Sequence, residues 1–120
     1  MTNPTAVTPV DAGKLDELID LFDGKEELAI LFQEFFSDLT DRLQTIRGCL
    51  DAGSDVDVDQ VAHAIKGSSS NLGAVGVQKA AESLETCALE HDVAGASEVF
   101  FRLEEELARL RIWLCQEHLL

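Results

Sequence analysis

Residues 25–50, KEELAILFQEFFSDLTDRLQTIRGCL, decide the fold of this chain. Their apolar side chains recur at helical spacing, at Leu28, Leu31, Phe32, Phe35, Phe36, Leu39, Leu43, Ile46 and Leu50. Such a repeat places the apolar side chains on one face of an α-helix and leaves the opposite face polar. The stretch therefore predicts a long amphipathic helix, which the Ala52-Gly53-Ser54 segment ends.

A shorter apolar repeat precedes this helix. Thr8 is suited to be its N-cap, Pro9 fits the first helical position, and Asp11 faces the free N–H groups of the first turn. The pair Asp23-Gly24 interrupts the repeat before the long helix begins. We expect a short N-terminal helix, preceded by a flexible tail over residues 1–8.

Three further amphipathic segments follow the long helix. The first opens at Ser54, with Asp57 three residues later, and ends at Gly73, which is suited to a left-handed backbone. The apolar face of this segment consists of Val58, Val61, Ala62, Ile65, Ser69 and Leu72. The other two segments extend from about Val75 to His91 and from about Val93 to His118.

Helices with one apolar stripe and short connections must pack side by side to cover that stripe. The sequence shows no alternation typical of β-strands and no internal repeat. We therefore predict an all-α fold. Its architecture is an up-down-up-down four-helix bundle with a short extra N-terminal helix, forming one domain over residues 9–120.

The composition limits the class of partner. The chain has 120 residues, of which 46% are hydrophobic, and 9 Lys+Arg against 23 Asp+Glu give a net charge of −14. This charge repels phosphate backbones and anionic lipids, so we expect no nucleic-acid and no membrane partner. The sequence contains neither a signal peptide nor a long apolar run, which predicts a cytoplasmic protein. Cys49, Cys87 and Cys115 show no C-x-x-C pairing and are expected to be reduced, buried thiols.

The third helix departs from a simple amphipathic pattern at two interior positions. At 100° per residue, His63 lies about 150° from the centre of the apolar face, and Gly67 lies about 170° from it. Both are therefore expected to face solvent. A glycine inside a helix costs about 1 kcal/mol relative to alanine, and an exposed site offers no packing to offset this cost. This favours a need for bare backbone one turn after His63.

The residues around His63 favour phosphoryl chemistry. An exposed imidazole can act as a nucleophile, a general base or a metal ligand near neutral pH. Lys66 lies on the flank of His63, where it can balance the charge of a bound anion, while Asp59 and Ser70 continue the same stripe. An incidental surface histidine remains the alternative explanation.

Residues 63–74, HAIKGSSSNLGA, closely resemble the signature of histidine-containing phosphotransfer (HPt) domains, H-x-x-K-G-x-[AS]-x-x-[LIM]-G-[AL]. Every defined position is met, and the number, length and order of the helices are also similar to that family. The resemblance implies a helical bundle that carries a phosphoryl group between the aspartates of receiver domains in a two-component phosphorelay. It also implies a carrier with no ATP-dependent kinase activity of its own.

The resemblance implies a role for each matching residue. His63 is the residue phosphorylated, Lys66 neutralises the phosphoryl group, and Gly67 gives the receiver clearance. Ser70, which continues the stripe of His63 on the helix, is a further candidate to support the phosphoryl site. Glu85 occupies a position where several family members carry a glutamine that hydrogen-bonds the imidazole. A carboxylate accepts the same bond from a ring N–H but repels a nearby phosphate.

The partners implied are response-regulator receiver domains and, as a second class, a hybrid sensor kinase. No cofactor is expected on this chain, because the receiver supplies the Mg²⁺ together with its aspartate. No metal site is expected either, because none of His63, His91 and His118 has a glutamate three residues before it. We further expect a monomer, and Met1 favours a stand-alone protein over a piece of a hybrid kinase.

Other functions compete with this interpretation. The same bundle can serve as an adaptor that binds a receiver or kinase without phosphotransfer, and a dimerisation module would need a second apolar stripe that the sequence lacks. A nucleotide-dependent kinase is disfavoured because no phosphate-binding glycine motif is present.

Core packing accounts for most of the phenylalanines, although one or two of Phe32, Phe35, Phe36, Phe100 and Phe101 are candidates for a docking patch beside His63. His91 and His118 are expected to be structural or incidental, and Glu104-Glu105-Glu106 a solvated face.

Overall fold

The computed structural model describes residues 9–22 and 24–120, and every regular element within them is an α-helix. The helices are α1 (Ala12–Leu21), α2 (Lys25–Asp51), α3 (Val58–Asn71), α4 (Val75–Leu89) and α5 (Val93–Gln116). The all-α prediction is therefore confirmed. The flexible tail predicted for residues 1–8 lies outside the described residues.

Helices α2 to α5 form the bundle, and α1 lies against one end of it. The most extensive packing joins α3 to α4 and α4 to α5, while α2 lies beside both α3 and α5. Arg47 of α2 meets Glu104 of α5, whereas Arg111 of α5 lies over the ring of Phe36, so these two helices run antiparallel. The part of the chain described measures 44 × 34 × 19 Å along its principal axes.

The core is built from the apolar stripes that the sequence predicts. Each helix contributes buried aliphatic or aromatic side chains, and Ser69 is a buried polar residue whose hydroxyl donates to the Ile65 carbonyl at 2.6 Å. The largest fully buried side chains are Phe32, Leu28, Leu39, Ile46, Ile65, Leu84, Leu103, Leu110, Leu114, Leu119, Val58 and Val77. Burying such apolar surface contributes about 25 cal/mol per Å² to the stability of the fold, and this is the main force that holds the helices together.

Two predicted helix starts are wrong. Helix α1 begins at Ala12 rather than at Pro9, because the Asp11 side chain accepts hydrogen bonds from the Gly13 and Lys14 N–H groups and is the N-cap. The predicted cap Thr8 lies outside the described residues. Helix α3 begins at Val58, after a left-handed Asp57, because the Ser54 hydroxyl instead accepts from the Val56 N–H within the preceding loop.

Helix α1 covers the turn between α3 and α4. The Asp11 N–H donates to the Gly73 carbonyl at 2.8 Å. Gly73 has a φ of 71°, as predicted, and a Cβ there would approach the Lys14 side chain to 2.8 Å. Both the backbone conformation and the close approach of Lys14 therefore require glycine at this turn.

The last two helices end slightly earlier than predicted. His91 and His118 have φ values of 58° and 60° and lie just beyond α4 and α5 instead of within them. After His118, the Leu119 N–H donates to the Leu114 carbonyl at 2.8 Å, and Leu119 is fully buried. This left-handed ending satisfies the last carbonyls of the helix and buries an apolar residue.

The burial of the cysteines differs in part from the prediction. Cys49 and Cys87 are half-buried free thiols, but Cys115 is exposed, so its predicted burial is wrong. Burial, together with the nearby Asp92 and Glu90 carboxylates, raises the pKa of the Cys87 thiol.

No helix among the described residues is long and apolar enough to span a membrane.

The surplus phenylalanines do not form a patch beside His63. Phe32, Phe35 and Phe100 are buried and Phe36 is half-buried, so core packing accounts for these four. Phe101 is exposed, but it lines a groove between α2 and α5 that Arg47 and Glu104 also line, on the side of the bundle opposite α3 and α4.

Candidate functional site

The polar face of α3 presents His63 to solvent, as the helical geometry predicts. The His63 side chain is 67% exposed, while Ala62 and Ile65 of the same helix are fully buried in the core. The imidazole is thus fixed to a rigid helix and remains accessible to a partner. Its role as a phosphoryl acceptor stays a prediction at this point.

Glu85 of α4 joins His63 and Lys66 across the groove between α3 and α4. One carboxylate oxygen, Oε2, lies 2.8 Å from Nδ1 of His63, and the other, Oε1, accepts from Nζ of Lys66 at 3.1 Å. The Glu85 side chain is only 18% exposed, which reduces the screening of both contacts by water. Three of the predicted site residues therefore form one connected cluster.

The charge of this cluster depends on the ionisation of Glu85. Burial of the carboxyl raises its pKa, but the hydrogen bonds from Lys66 and His63 and their positive charges outweigh burial, so the pKa of Glu85 is lowered. Glu85 is therefore a carboxylate at neutral pH. Its contacts stabilise the fold above the ordinary carboxyl pKa and are lost as the pH falls through the lowered value.

The carboxylate also determines which ring nitrogen of His63 is free. An ionised carboxylate can only accept hydrogen bonds, so the 2.8 Å contact requires a proton on Nδ1. In the neutral imidazole, Nε2 then carries the lone pair. The arrangement leaves Nε2 as the nucleophilic atom of an exposed side chain.

Gly67 leaves an opening beside His63 on the same helix. It lies one turn after His63 and is exposed. Apart from its chain neighbours and the backbone of its own helix, no described atom lies within 4 Å of the position that a Cβ would occupy. Helix packing therefore does not require glycine here, in contrast to Gly73. Ser70 is exposed seven residues after His63, about 10 Å along the helix axis, and stands outside the Glu85 cluster.

Sequence reasoning missed two contacts of these polar side chains. Lys66 was expected to face the phosphoryl group, yet it is paired with Glu85. His91 has Nδ1 2.8 Å from Oδ2 of Asp55, a pair that no local pattern indicates because 36 residues separate its members. The half-buried Gln78, an amide two turns before Glu85, is not part of the cluster.

No group of three or more His, Cys, Asp or Glu residues that could hold a metal ion occurs in residues 9–22 and 24–120. The site itself brings together one nucleophilic nitrogen, a carboxylate that holds the ring, and a lysine.

Comparisons with known proteins agree with this arrangement. The sequence model of the family described as the Hpt domain matches residues 30–113. The crystal structure of histidine-containing phosphotransfer protein B (HptB) from Pseudomonas aeruginosa PAO1 is similar, with a TM-score of 0.84 and 29% sequence identity. That match covers 93% of this chain and 96% of the other chain. A search of curated proteins found no match.

The family match extends over more than half of the chain and includes α3, α4 and most of α2 and α5. The chain therefore belongs to the Hpt domain family.

Proposed function

We propose that this protein carries a phosphoryl group in a two-component phosphorelay, accepting it on Nε2 of His63 from a receiver-domain aspartyl phosphate. It then passes the group to the aspartate of another receiver. The observation that carries the proposal is the bond between Nδ1 of His63 and Glu85, because it leaves Nε2 free on an exposed ring.

In the proposed transfer one bond forms, one bond breaks, and the imidazole loses no proton. The Nε2 lone pair attacks the phosphorus of the aspartyl phosphate, an N–P bond forms, and the P–O bond to the aspartate breaks to release a carboxylate. The ring keeps its Nδ1 proton and becomes a cation, which Glu85 stabilises through the existing hydrogen bond. The reverse sequence of steps loads the second receiver.

Glu85 and Lys66 act on different charges in this scheme. Glu85 contacts Nδ1, and Nε2 is the ring atom directed away from it, so the carboxylate meets the phosphoryl group only across the ring. The attraction at 2.8 Å therefore exceeds the repulsion over the longer distance. Lys66, one turn from His63, offsets the negative charge of the phosphoryl group, and Ser70 extends the polar stripe beside it.

The partner supplies the remaining components. A receiver domain brings its aspartate and the Mg²⁺ that neutralises the phosphoryl oxygens, so this chain needs no cofactor. The opening at Gly67 admits the receiver to within bonding distance of His63. A hybrid sensor kinase that contains a receiver domain is a second class of partner. We also propose that the protein acts as a monomer in the cytoplasm.

The test uses a receiver domain phosphorylated on aspartate with labelled phosphate. Transfer to this chain should give label that is lost in acid and stable in base, and His63→Gln should abolish it without loss of helicity, because the side chain is exposed. His118→Gln is the matched control, since His118 is also exposed and lies just beyond the end of α5. Full labelling of His63→Gln would refute the site, while receiver binding without transfer would make the protein an adaptor.

A further inference from the structure

Two exposed apolar side chains lie at one end of the groove between α3 and α4. Leu89 is 61% exposed and follows Glu85 by one helical turn, on the side of α4 that faces His63. Val56 is 63% exposed and lies in the loop just before α3. The bundle leaves both side chains largely uncovered.

A hydrogen bond joins the segments that carry these two residues. Nδ1 of His91, two residues after Leu89, lies 2.8 Å from Oδ2 of Asp55, the residue before Val56. The loop before α3 and the turn after α4 are therefore held together. We call the two apolar side chains the Val56–Leu89 patch.

The border of the Val56–Leu89 patch is acidic. Asp57, Asp59, Glu90 and Asp92 lie next to it in the same two segments and are exposed or half-exposed. Residues 48–65 and 80–101 contain no lysine or arginine. A partner that covers this patch must therefore combine an apolar contact with positive charge around it.

We propose that the Val56–Leu89 patch is a second contact for the receiver domain that reaches His63, and that it selects receivers with an apolar side chain bordered by Lys or Arg. This inference rests on the proposed function. A stable interface covers about 800 Å² and 20 to 30 residues on each partner, far more than one imidazole ring. A receiver seated over His63 and Glu85 thus also covers Leu89, one turn away.

Two exposed apolar side chains of α5, Phe101 and Ile112, do not fit this contact as well. Ile112 is 59% exposed on α5, and Phe101 lines the groove between α2 and α5. Ile112 follows Phe101 by eleven residues, about three helical turns, so it lies on nearly the same face of α5 as Phe101. Ile112 therefore provides a control of nearly equal exposure at a site that the receiver does not cover.

The experiment compares the unmodified chain with Leu89→Gln, with the double variant Leu89→Gln/Val56→Thr, and with Ile112→Gln. Each is mixed with a phosphorylated receiver that loads the unmodified chain, and KM and kcat of transfer are measured at two salt concentrations. The double variant should raise KM about five- to tenfold with kcat unchanged, as expected for lost docking contacts. Ile112→Gln should leave KM unchanged.

A small-molecule phosphoryl donor distinguishes weaker docking of the receiver from damage to the His63 site. Phosphoramidate phosphorylates imidazoles directly, forming the N–P bond to His63 as its own P–N bond breaks and ammonia leaves. The patch variants should react with it at the unmodified rate, because no receiver takes part. A slower reaction would show that the substitutions disturb His63 itself and would overturn the docking role.

Three further outcomes would also overturn the proposal. An unchanged KM in the double variant would remove the patch from the receiver interface while leaving the proposed function intact. Light scattering could also detect a dimer of the unmodified chain. Loss of this dimer in Leu89→Gln would show that the patch contacts a second copy of the chain. Failure of every receiver to load the unmodified chain would refute the proposed function and the docking role together.

Discussion

Glu85 is the side chain that determines the state of His63. It orients the ring through Nδ1, holds Lys66 with its second oxygen, and remains ionised because these contacts lower its pKa in spite of burial. A glutamine at this position would keep the geometry of the hydrogen bond but not the charge. In the proposed transfer, the carboxylate therefore adds an electrostatic contribution to the stability of the phosphorylated, cationic ring.

We expect Glu85→Gln to shift the phosphotransfer equilibrium away from His63. A hydrogen bond to a charged group is stronger than a neutral one by about 1 kcal/mol, so the ratio of phosphorylated His63 to phosphorylated receiver should fall about fivefold. The labelled species at equilibrium, separated on a gel, measure this ratio. Glu82→Gln, which makes the same charge change at an exposed position one turn earlier, should leave the ratio near its original value. A higher ratio in Glu85→Gln would mean that repulsion of the phosphoryl group dominates.

At the residue scale, helical geometry predicted the exposure of His63 and Gly67 from the sequence. It worked because both residues lie on one regular helix, where the angle from the apolar face is fixed. The contact of Glu85 with His63 spans 22 residues and two helices, so only the family resemblance suggested it. The bond of Lys66 to Glu85 was not predicted, because it depends on the relative placement of α3 and α4.

Among the elements, α1 is bonded to the chain just after α3, the helix that carries His63, although it does not reach His63 itself. The Asp11 side chain caps α1, and the Asp11 N–H bonds to Gly73 at the end of α3. Val10, just before the cap, is buried in the core. Helix α1 is thus bonded to the turn over residues 72–73, directly after the end of α3.

We expect Asp11→Ala to lower the free energy of unfolding by about 1 kcal/mol, the usual effect of removing an N-cap side chain. Urea denaturation followed by circular dichroism measures this value. Asp16→Ala removes an exposed carboxylate from the interior of α1 without touching the cap, and it should have a smaller effect. Equal effects of the two substitutions would argue against Asp11 as the N-cap.

The number and order of the helices could be predicted from the sequence, but some of their ends could not. Several residues near each end can cap a helix, and tertiary contacts decide among them. Asp11 prevails over the predicted start at Pro9 because its N–H also meets the Gly73 carbonyl, which belongs to a distant part of the chain. Ser54 was expected to open α3, but it stabilises the loop through the Val56 N–H instead.

At the scale of the whole molecule, the net charge of −14 opposes compact folding through the mutual repulsion of carboxylates. Few of these charges have a cationic partner, because 23 acidic residues share 9 lysines and arginines. Raising the salt concentration shortens the Debye length from about 30 Å at 0.01 M to about 10 Å at 0.1 M. The repulsion between exposed carboxylates then weakens.

We therefore expect the midpoint of thermal unfolding to rise between 0.01 M and 0.1 M sodium chloride, two concentrations chosen for this change in screening. Differential scanning calorimetry at neutral pH measures the midpoint. Sodium chloride and sodium bromide at equal ionic strength should give similar increases if screening is the cause. A midpoint that falls with added salt would show that the ion pairs, such as Arg47 with Glu104, outweigh the repulsion.

The described part of the molecule is only 19 Å thick, and the ring of His63, the proposed phosphoryl acceptor, emerges from the face that α3 and α4 form. A donor receiver and an acceptor receiver must therefore occupy the same face, one after the other. No complex of all three proteins can place both aspartates on Nε2 at once. Exchange between two receivers through this protein should consequently follow ping-pong kinetics, with the phosphorylated carrier released as a free intermediate between encounters.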